Sequence, residues 1–406
     1  GMPRRKHATF CQSNGDSSRL FATVQASGRI RRYLEPQLLA DLGRKAVVLT
    51  GARQVGKTTL ARQVMERLPE SQYLNWDVPL DRGILTRQSW NPRAPLLVFD
   101  EIHKMAGWKA WLKGVIDGRP VGQALLVTGS ARMDTFRQAG ESLAGRYTHL
   151  HLDPLSVREW CGHSGASADL ALLHLIERGG FPEPALAPEA QQAQRWRRQV
   201  STDLIREDVL EFSRLQEINT MRVFVELLRE RVGSPLSLAS MARDLAVSPT
   251  TLRRYLEILE ALVVVIVVHP WHRNIARALL QAPKVYFSDT GLVKGDAGLR
   301  LENAVAVMLN KLAHWIGDSE GRESVLHYIR TKDGAEVDFC LSVDGELVQL
   351  VECKLADVTP HRALQRFALQ FPQAEAWQLV RDARQLERRG AITVTPAGAW
   401  LAQLAV

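Results

Sequence analysis

Apolar residues along the chain fall into two rhythms. Short continuous runs, KAVVLT (Lys45–Thr50), NPRAPLLVFDE (Asn91–Glu101) and GQALLVTGS (Gly122–Ser130), predict buried strands, because a strand covered on both faces has no polar side to show. Between them lie stretches with helical spacing, YLEPQLLADL before the first run and TTLARQVMERL after it. Strands that alternate with helices predict a parallel sheet with helices on both faces. Beyond about residue 155 the pattern changes. Asp169 to Arg231 reads as helices, broken by the glycines and prolines of GGFPEPALAP. LSLASMARDLAVSPTTLRRYLEILEALVVVIVV predicts a helix-turn-helix and then a strand, with one helix ending near Leu245 and SPTT supplying the turn and the cap of the next. Further on, KVYFSD predicts a strand and LENAVAVMLNKLAHWI a helix. HYIRTKDGAEVDFCLSVDGELVQLVECKLAD predicts strands joined by Asp-Gly turns.

Length and composition narrow the classes. A chain of 406 residues, 46% hydrophobic and 24% charged, has room for two or three folded domains. Its longest apolar run, Ala261–Val268, is far short of the roughly 20 residues that cross a bilayer, and no apolar stretch follows the basic N-terminus. Membrane association is therefore not expected. Cys11, Cys161, Cys340 and Cys353 are scattered, without CxxC spacing, so a disulfide framework is not expected and a reducing cytoplasm is the expected compartment. The formal charge of +8 invites a nucleic-acid partner, but seven basic residues and one acid within residues 1–32 account for +6 of it. Residues 1–28 predict a flexible basic tail, and any DNA contact must come from a local patch.

The strongest chemical signal is GARQVGKTT. Gly51, Ala52, Arg53, Gln54, Val55, Gly56, Lys57, Thr58 and Thr59 stand between a predicted strand and a predicted helix. Backbone N–H groups there converge on phosphates, Lys57 neutralises charge on them, and Thr58 is placed to ligate Mg²⁺. The chain has only 11 lysines against 41 arginines, which makes a lysine at this position harder to ascribe to chance. LLVFDE supplies the partner acids: Asp100 for the metal, and Glu101 to orient or deprotonate the attacking water. At the end of the third strand, Thr128 or Ser130 offers a hydroxyl to the γ-phosphate or the water; a strand-end hydroxyl satisfied by its neighbours is the plainer reading. Arg146, in SLAGRYTHL, stands where an arginine can serve a neighbouring subunit's site.

A second acidic group lies near the C-terminus. Asp338 in EVDF, with Glu352 and Lys354 in ECK, has the D…ExK spacing of PD-(D/E)XK nucleases, and Glu302 on the preceding helix adds a third carboxylate for a metal. Exposed cross-strand charges would give the same pattern. Arg243, Arg253 and Arg254 on the helix-turn-helix are candidate DNA contacts, offset by Asp244, Glu257 and Glu260.

IRRYL…KAVVLTGARQVGKTTL, LLVFDEIHK, LLVTGSAR, SLAGR, PLSVREW, GGFPEP, PKVYFSDTGL, LEN and EVDF…VECK occur in that order. Together they resemble a bacterial and archaeal family of AAA+-type ATPases with a nuclease-like C-terminal domain, over residues 29–400. The resemblance implies an α/β fold: a parallel-sheet P-loop AAA+ core (29–162), a helical lid (163–232), a winged helix (233–270) and a restriction-endonuclease-like domain (271–406). It also implies an arginine finger at Arg146 and assembly as an oligomer such as a hexameric ring. The link from DTGL to LEN is shorter than the family's pattern. ATP with Mg²⁺ is the expected cofactor and DNA the expected partner, on which the oligomer would move or which it would remodel. Two rival expectations are a slow nucleotide switch that recruits a protein, and a DNA nuclease gated by ATP.

Overall fold

The computed structural model describes residues 29–130, 143–210, 215–273 and 281–406, and the tail expected over residues 1–28 lies outside them. In the N-terminal half, helix α1 (Glu35–Leu42) leads into strand β1 (Ala46–Thr50) and helix α2 (Lys57–Arg67). Then come β2 (Gln72–Asn75), α3 (Pro79–Arg87), β3 (Leu96–Asp100), α4 (Trp108–Gly118), β4 (Ala124–Thr128) and β5 (Tyr147–His151). The five strands form one parallel sheet in the order β2-β3-β4-β1-β5.

The continuous apolar runs resolve into alternating faces. Val47 and Leu49 of β1 join α1 and α2 in one core, whereas Ala46 and Val48 join Leu85 of α3 and Leu112 of α4 in the other. A strand sends successive side chains to opposite faces, so a run with no polar member is what two covered faces require. Register then sets the site. Asp100 pairs with Thr128, and Leu49 of β1 also pairs with Thr128, so the strand ends that carry polar groups share one edge of the sheet.

The second half begins with α5 (Val157–Ser164), α6 (Ala168–Arg178), α7 (Pro182–Leu186), α8 (Ala190–Leu210) and α9 (Leu215–Arg229). Helices α10 (Leu238–Asp244) and α11 (Pro249–Ala261) follow, joined by a tight turn in which Ser248 caps α11 by accepting from the Thr251 N–H at 3.0 Å. Strands β6 (Val265–Pro270) and β7 (Lys284–Phe287) precede the long helix α12 (Ala297–Glu320). The chain ends with β8 (Ser324–Arg330), β9 (Glu336–Val343), β10 (Glu346–Lys354), α13 (Arg362–Gln370), β11 (Glu375–Val380), β12 (Glu387–Arg389), β13 (Ile392–Pro396) and α14 (Ala397–Ala402).

Here the structure departs from the boundary expected at residues 270 and 271. Strand β6 pairs antiparallel with β7 and parallel with β8, so both belong to one eight-stranded sheet, β12-β13-β11-β10-β9-β8-β6-β7. A hairpin after a helix-turn-helix leaves one strand edge unpaired. In this chain β8 occupies that edge, which removes a site of non-native pairing. The same packing fuses the segments: one core runs from Leu155 through Tyr255, Phe287 and Met308 to Leu401. The β9–β10 turn matches expectation, with Asp344 at φ 52° and Gly345 at φ 83°, the left-handed pair that a two-residue hairpin needs.

Candidate nucleotide site

The loop from Gly51 to Gly56 joins β1 to α2 at the polar edge of the parallel sheet. Gly51 has no room for a side chain, since a Cβ there would stand 2.4 Å from the Leu152 carbonyl oxygen. Gly56 takes φ 104° and turns the loop into the helix. Arg32, 6% exposed, donates to the Val55 carbonyl at 2.8 Å and so braces the loop from behind. Gln54 accepts from the Trp196 indole N–H of α8 at 2.6 Å, which ties the helical segment to the loop.

Lys57 is buried and donates to the carbonyls of Gly51 and Ala52 at 3.0 and 2.7 Å. Burial lowers its pKa to about 8, against the pull of Glu101 and Asp100. An ammonium held on two neutral carbonyls, at a helix N-terminus, is set to exchange them for anionic oxygens. Asp100 gathers hydroxyls from three elements. Thr58 donates to its Oδ2 at 3.1 Å, Thr128 donates to its Oδ1 at 2.7 Å, and Tyr73 of β2 also donates to Oδ2. A hydroxyl and a carboxylate oxygen side by side are the hard donors that Mg²⁺ selects, so Thr58 and Asp100 fit that ion. Of the two hydroxyls weighed after β4, Thr128 is the one on Asp100. The buried Ser130 Oγ has no protein partner among the described residues. Thr59, the last residue of the motif, faces outward.

Glu101 adopts φ 58° directly after the strand, with its carboxylate 3.1 Å from Lys104 and 3.6 Å from His103. Arg146 pairs with Asp117 at the end of α4. It precedes β5, whose Tyr147 pairs with Ala46, whereas the phosphate loop follows Thr50, level with His151. Four residues of strand, about 13 Å, therefore separate it from its own phosphate loop. A narrow cleft opens beside the loop, lined by Ala52 and Arg53, by Phe181 and Trp196 from the helical segment, and by Leu262 to Val264 beyond α11.

In sequence, residues 43–161 match the model of an AAA domain, residues 170–303 a domain of unknown function (DUF8612), and residues 297–400 a second domain of unknown function (DUF4143). The curated proteins Rv2008c of Mycobacterium tuberculosis and Mb2031c of Mycobacterium bovis, both named as uncharacterized, are each 32% identical over 340 residues, covering 81% of this chain and 73% of theirs. The chain belongs to their family. Its first domain is accordingly an AAA-type P-loop nucleoside triphosphatase domain, and the geometry around Lys57 and Asp100 is what this member of the family builds from it. Solved structures are similar at a coarser level. They include the Walker-type ATPase PABY2304 of Pyrococcus abyssi (13% identity, TM-score 0.40, 67% of this chain and 98% of that one). A RuvB variant of Thermotoga maritima (17%, 0.30, 57% and 88%) is another.

The C-terminal acids form a separate cluster under DUF4143. Glu302, Asp338 and Glu352 all have raised pKa values, first because they are buried; the charge of Asp338 then raises the two glutamates further, and that of Glu336 raises Asp338. Their partners lie within the protein. The Tyr286 hydroxyl donates to Glu302 at 2.6 Å, the Cys353 N–H to Asp338 at 2.9 Å, and Lys354 to Glu352 at 2.6 Å. Lys284, 1% exposed, bonds Glu336 and lies 3.8 Å from Glu302. The spacing that suggested a metal site does bring the four residues together, but among the described residues no group of three or more His, Cys, Asp and Glu is arranged to hold a metal ion. Arg243, Arg253 and Arg254 are all exposed on α10 and α11.

Three participants had no role assigned from the sequence: Tyr73, which lies outside every motif, and Lys104 and Glu159, which stand within LLVFDEIHK and PLSVREW. Glu159 is 5% exposed and sits at the centre of a buried network. It accepts from the Arg32 Nε at 2.8 Å, the Tyr33 N–H at 3.0 Å, the Ser156 N–H at 2.9 Å and Lys311 of α12 at 2.5 Å. Burial would raise its pKa, but Arg32 and Lys311 prevail and hold it at about 2. The one signal in the sequence was the capping box SVRE at the start of α5, which the structure forms. Among the described residues no helix is long and apolar enough to cross a membrane.

Proposed function

We propose that the protein is a Mg²⁺-dependent ATPase that works as an oligomer to move along or remodel DNA. The convergence of Thr58, Thr128 and Asp100 beside the buried Lys57 carries the ATPase reading. Lys57 moves from the Gly51 and Ala52 carbonyls onto the β- and γ-phosphates of ATP. Thr58 and Asp100 would hold Mg²⁺, which would supply positive charge where negative charge develops. Glu101 takes the proton of a water whose oxygen forms a bond to the γ-phosphorus. The bond from that phosphorus to the β-phosphate oxygen breaks, releasing ADP and phosphate. Ser130 offers its hydroxyl to that phosphate or water, and the cleft beside Ala52 and Trp196 takes the base. Arg146, at the far edge of its own sheet, supports action in a neighbouring subunit's site.

The DNA reading rests on Arg243, Arg253 and Arg254, exposed on α10 and α11, and on the expectation that these helices act as a winged helix. Steady-state ATP turnover tests it, with Lys57→Ala as control, in titrations with single-stranded, duplex and four-way-junction DNA at two salt concentrations. Turnover that rises several-fold with one form, and falls back at high salt, is the expected result. No shift of any DNA at low salt, with turnover indifferent to all three forms, rejects it. A second reading, a nucleotide switch that recruits a protein partner, is favoured by the buried Arg32–Glu159–Lys311 connection between the phosphate loop and the C-terminal half. DNA-indifferent, slow turnover supports that switch.

A further inference from the structure

The acid cluster of the C-terminal half already contains a cation. Lys284 opens β7, pairs there with Val268 of β6, and is 1% exposed. Its ammonium bonds Glu336 at the start of β9, lies 3.8 Å from Glu302 of α12, and stands 5.0 Å from the centre of the Tyr328 ring. Burial works against the charged form, but Glu302, Asp338 and Glu336 outweigh it, so the pKa of Lys284 is raised. Carboxylates from α12 and β9 therefore face one buried positive charge. The oxygens that a metal would need are engaged as well. Glu302 Oε1 accepts from the Tyr286 hydroxyl at 2.6 Å, and Asp338 Oδ2 from the Cys353 N–H at 2.9 Å. Glu352 Oε1 accepts from Lys354 at 2.6 Å, and its Oε2 from the Asp338 N–H at 3.3 Å. Each bond turns a lone pair toward the protein, whereas a divalent ion needs several lone pairs that converge on one point. Among the described residues the D…ExK spacing is thus kept without the ligand geometry.

We propose that the Lys284 ammonium is the resident cation of this cluster, in the place that a divalent ion takes where such carboxylates serve a nuclease. A lysine brings one positive charge and three N–H donors but no Lewis acidity. The cluster therefore ties β7, α12 and β9 together and does not activate water for DNA cleavage. This holds whether or not the chain hydrolyses ATP. Removing the ammonium would leave buried carboxylates facing one another with no cation between them. A hard divalent ion, which takes oxygen ligands, is then the species that relieves them.

The test is Mn²⁺ binding by the full chain in equilibrium dialysis without nucleotide, with thermal melts in Mn²⁺ and in chelator. Every chain carries Asp100→Asn, which removes a carboxylate of the ATP site as a second place for the ion. Lys284→Met is compared with the parent that keeps Lys284, and each with Asp338→Asn added. In the parent, no Mn²⁺ site sensitive to Asp338→Asn is expected, and the melt should be the same in Mn²⁺ and in chelator. Lys284→Met is expected to melt lower in chelator, to bind one Mn²⁺ at least about tenfold tighter than the parent, and to regain stability with it. Adding Asp338→Asn should abolish both gains. An Asp338-dependent Mn²⁺ site in the parent overturns the proposal, because the ion and not the ammonium then fills the cluster. A folded Lys284→Met that gains no ion overturns it as well. Should Lys284→Met fail to fold in both conditions, Lys284→Met/Glu336→Gln takes its place, since it removes the bonded pair together. Gain of the ion by that variant upholds the proposal, and its absence overturns it.

Discussion

Lys57 shows how one buried charge sets a pH dependence. Removing its ammonium from water costs enough that its pKa falls to about 8, and the two carbonyls it bonds offset only part of that cost. The binding-competent form is the protonated one. It dominates below that pH and is lost as pH rises through it, since phosphate oxygens gain nothing from a neutral amine. Nucleotide affinity should be level below about pH 8 and weaken above it, toward roughly tenfold per pH unit. Titration of a fluorescent ATP analogue across that range checks this. Lys57→Arg, charged throughout, should show no break there. The lysine itself was legible in the sequence, because glycines, a strand and a helix framed it. Its position on the Gly51 and Ala52 carbonyls was not, since a flexible side chain takes its partner from whatever the fold brings within reach.

At the level of elements, the contact between α5 and α12 is the most consequential. Lys311 is fully buried in α12 and meets Glu159 of α5, while Arg32 links the same carboxylate to the phosphate loop. A buried ion that loses its partner is left uncompensated, so Glu159→Gln should destabilise the fold by about 3–5 kcal/mol in denaturant unfolding at neutral pH. The sign with pH follows from the depressed pKa. The Glu159 contribution is present above the ordinary value of 4.5 and is lost as pH falls toward about 2. The gap between wild type and Glu159→Gln should therefore close over that range, because a protonated glutamic acid and a glutamine are alike in charge. A gap that stays constant with pH would assign the loss to packing rather than charge. None of this was visible in LNKLAHWI except as one lysine inside an apolar helix. A helix pattern says which face is buried, not which partner covers it.

For the whole molecule, the decisive feature is where Arg146 lies. It precedes β5 at one end of the strands, whereas the phosphate loop leaves β1 at the other, so in the proposed oligomer it would serve a neighbouring subunit's site. Arg146→Ala and Glu101→Gln should each be inactive in turnover while still binding nucleotide. An equimolar mixture should regain activity, because some interfaces then pair an intact Glu101 with an intact Arg146. Turnover of the mixture no higher than the mean of the two variants would mean that Arg146 does not act in trans. At this scale, too, the C-terminal half proves to be a single packed body. The expected division at residue 270 falls inside an eight-stranded sheet, because β8 takes up the strand edge that β6 would otherwise leave open.

The sequence by itself determined what depends on local spacing. The parallel-sheet half followed from apolar runs without a polar face, the phosphate loop from GARQVGKTT between a strand and a helix, and the β9–β10 hairpin from Asp-Gly. Each is fixed by backbone geometry within a dozen residues. Tertiary structure alone decided the choices between equivalent groups and the contacts across the chain. It put Thr128 rather than Ser130 on Asp100, added Tyr73 to the same carboxylate, and joined Lys311 to Glu159 across 152 positions. It gathered Glu302, Asp338 and Glu352 into one cluster without arranging them around a metal. Such outcomes turn on strand register and on which helix covers which face. Both are settled by the packing of the whole chain, and no short segment encodes them.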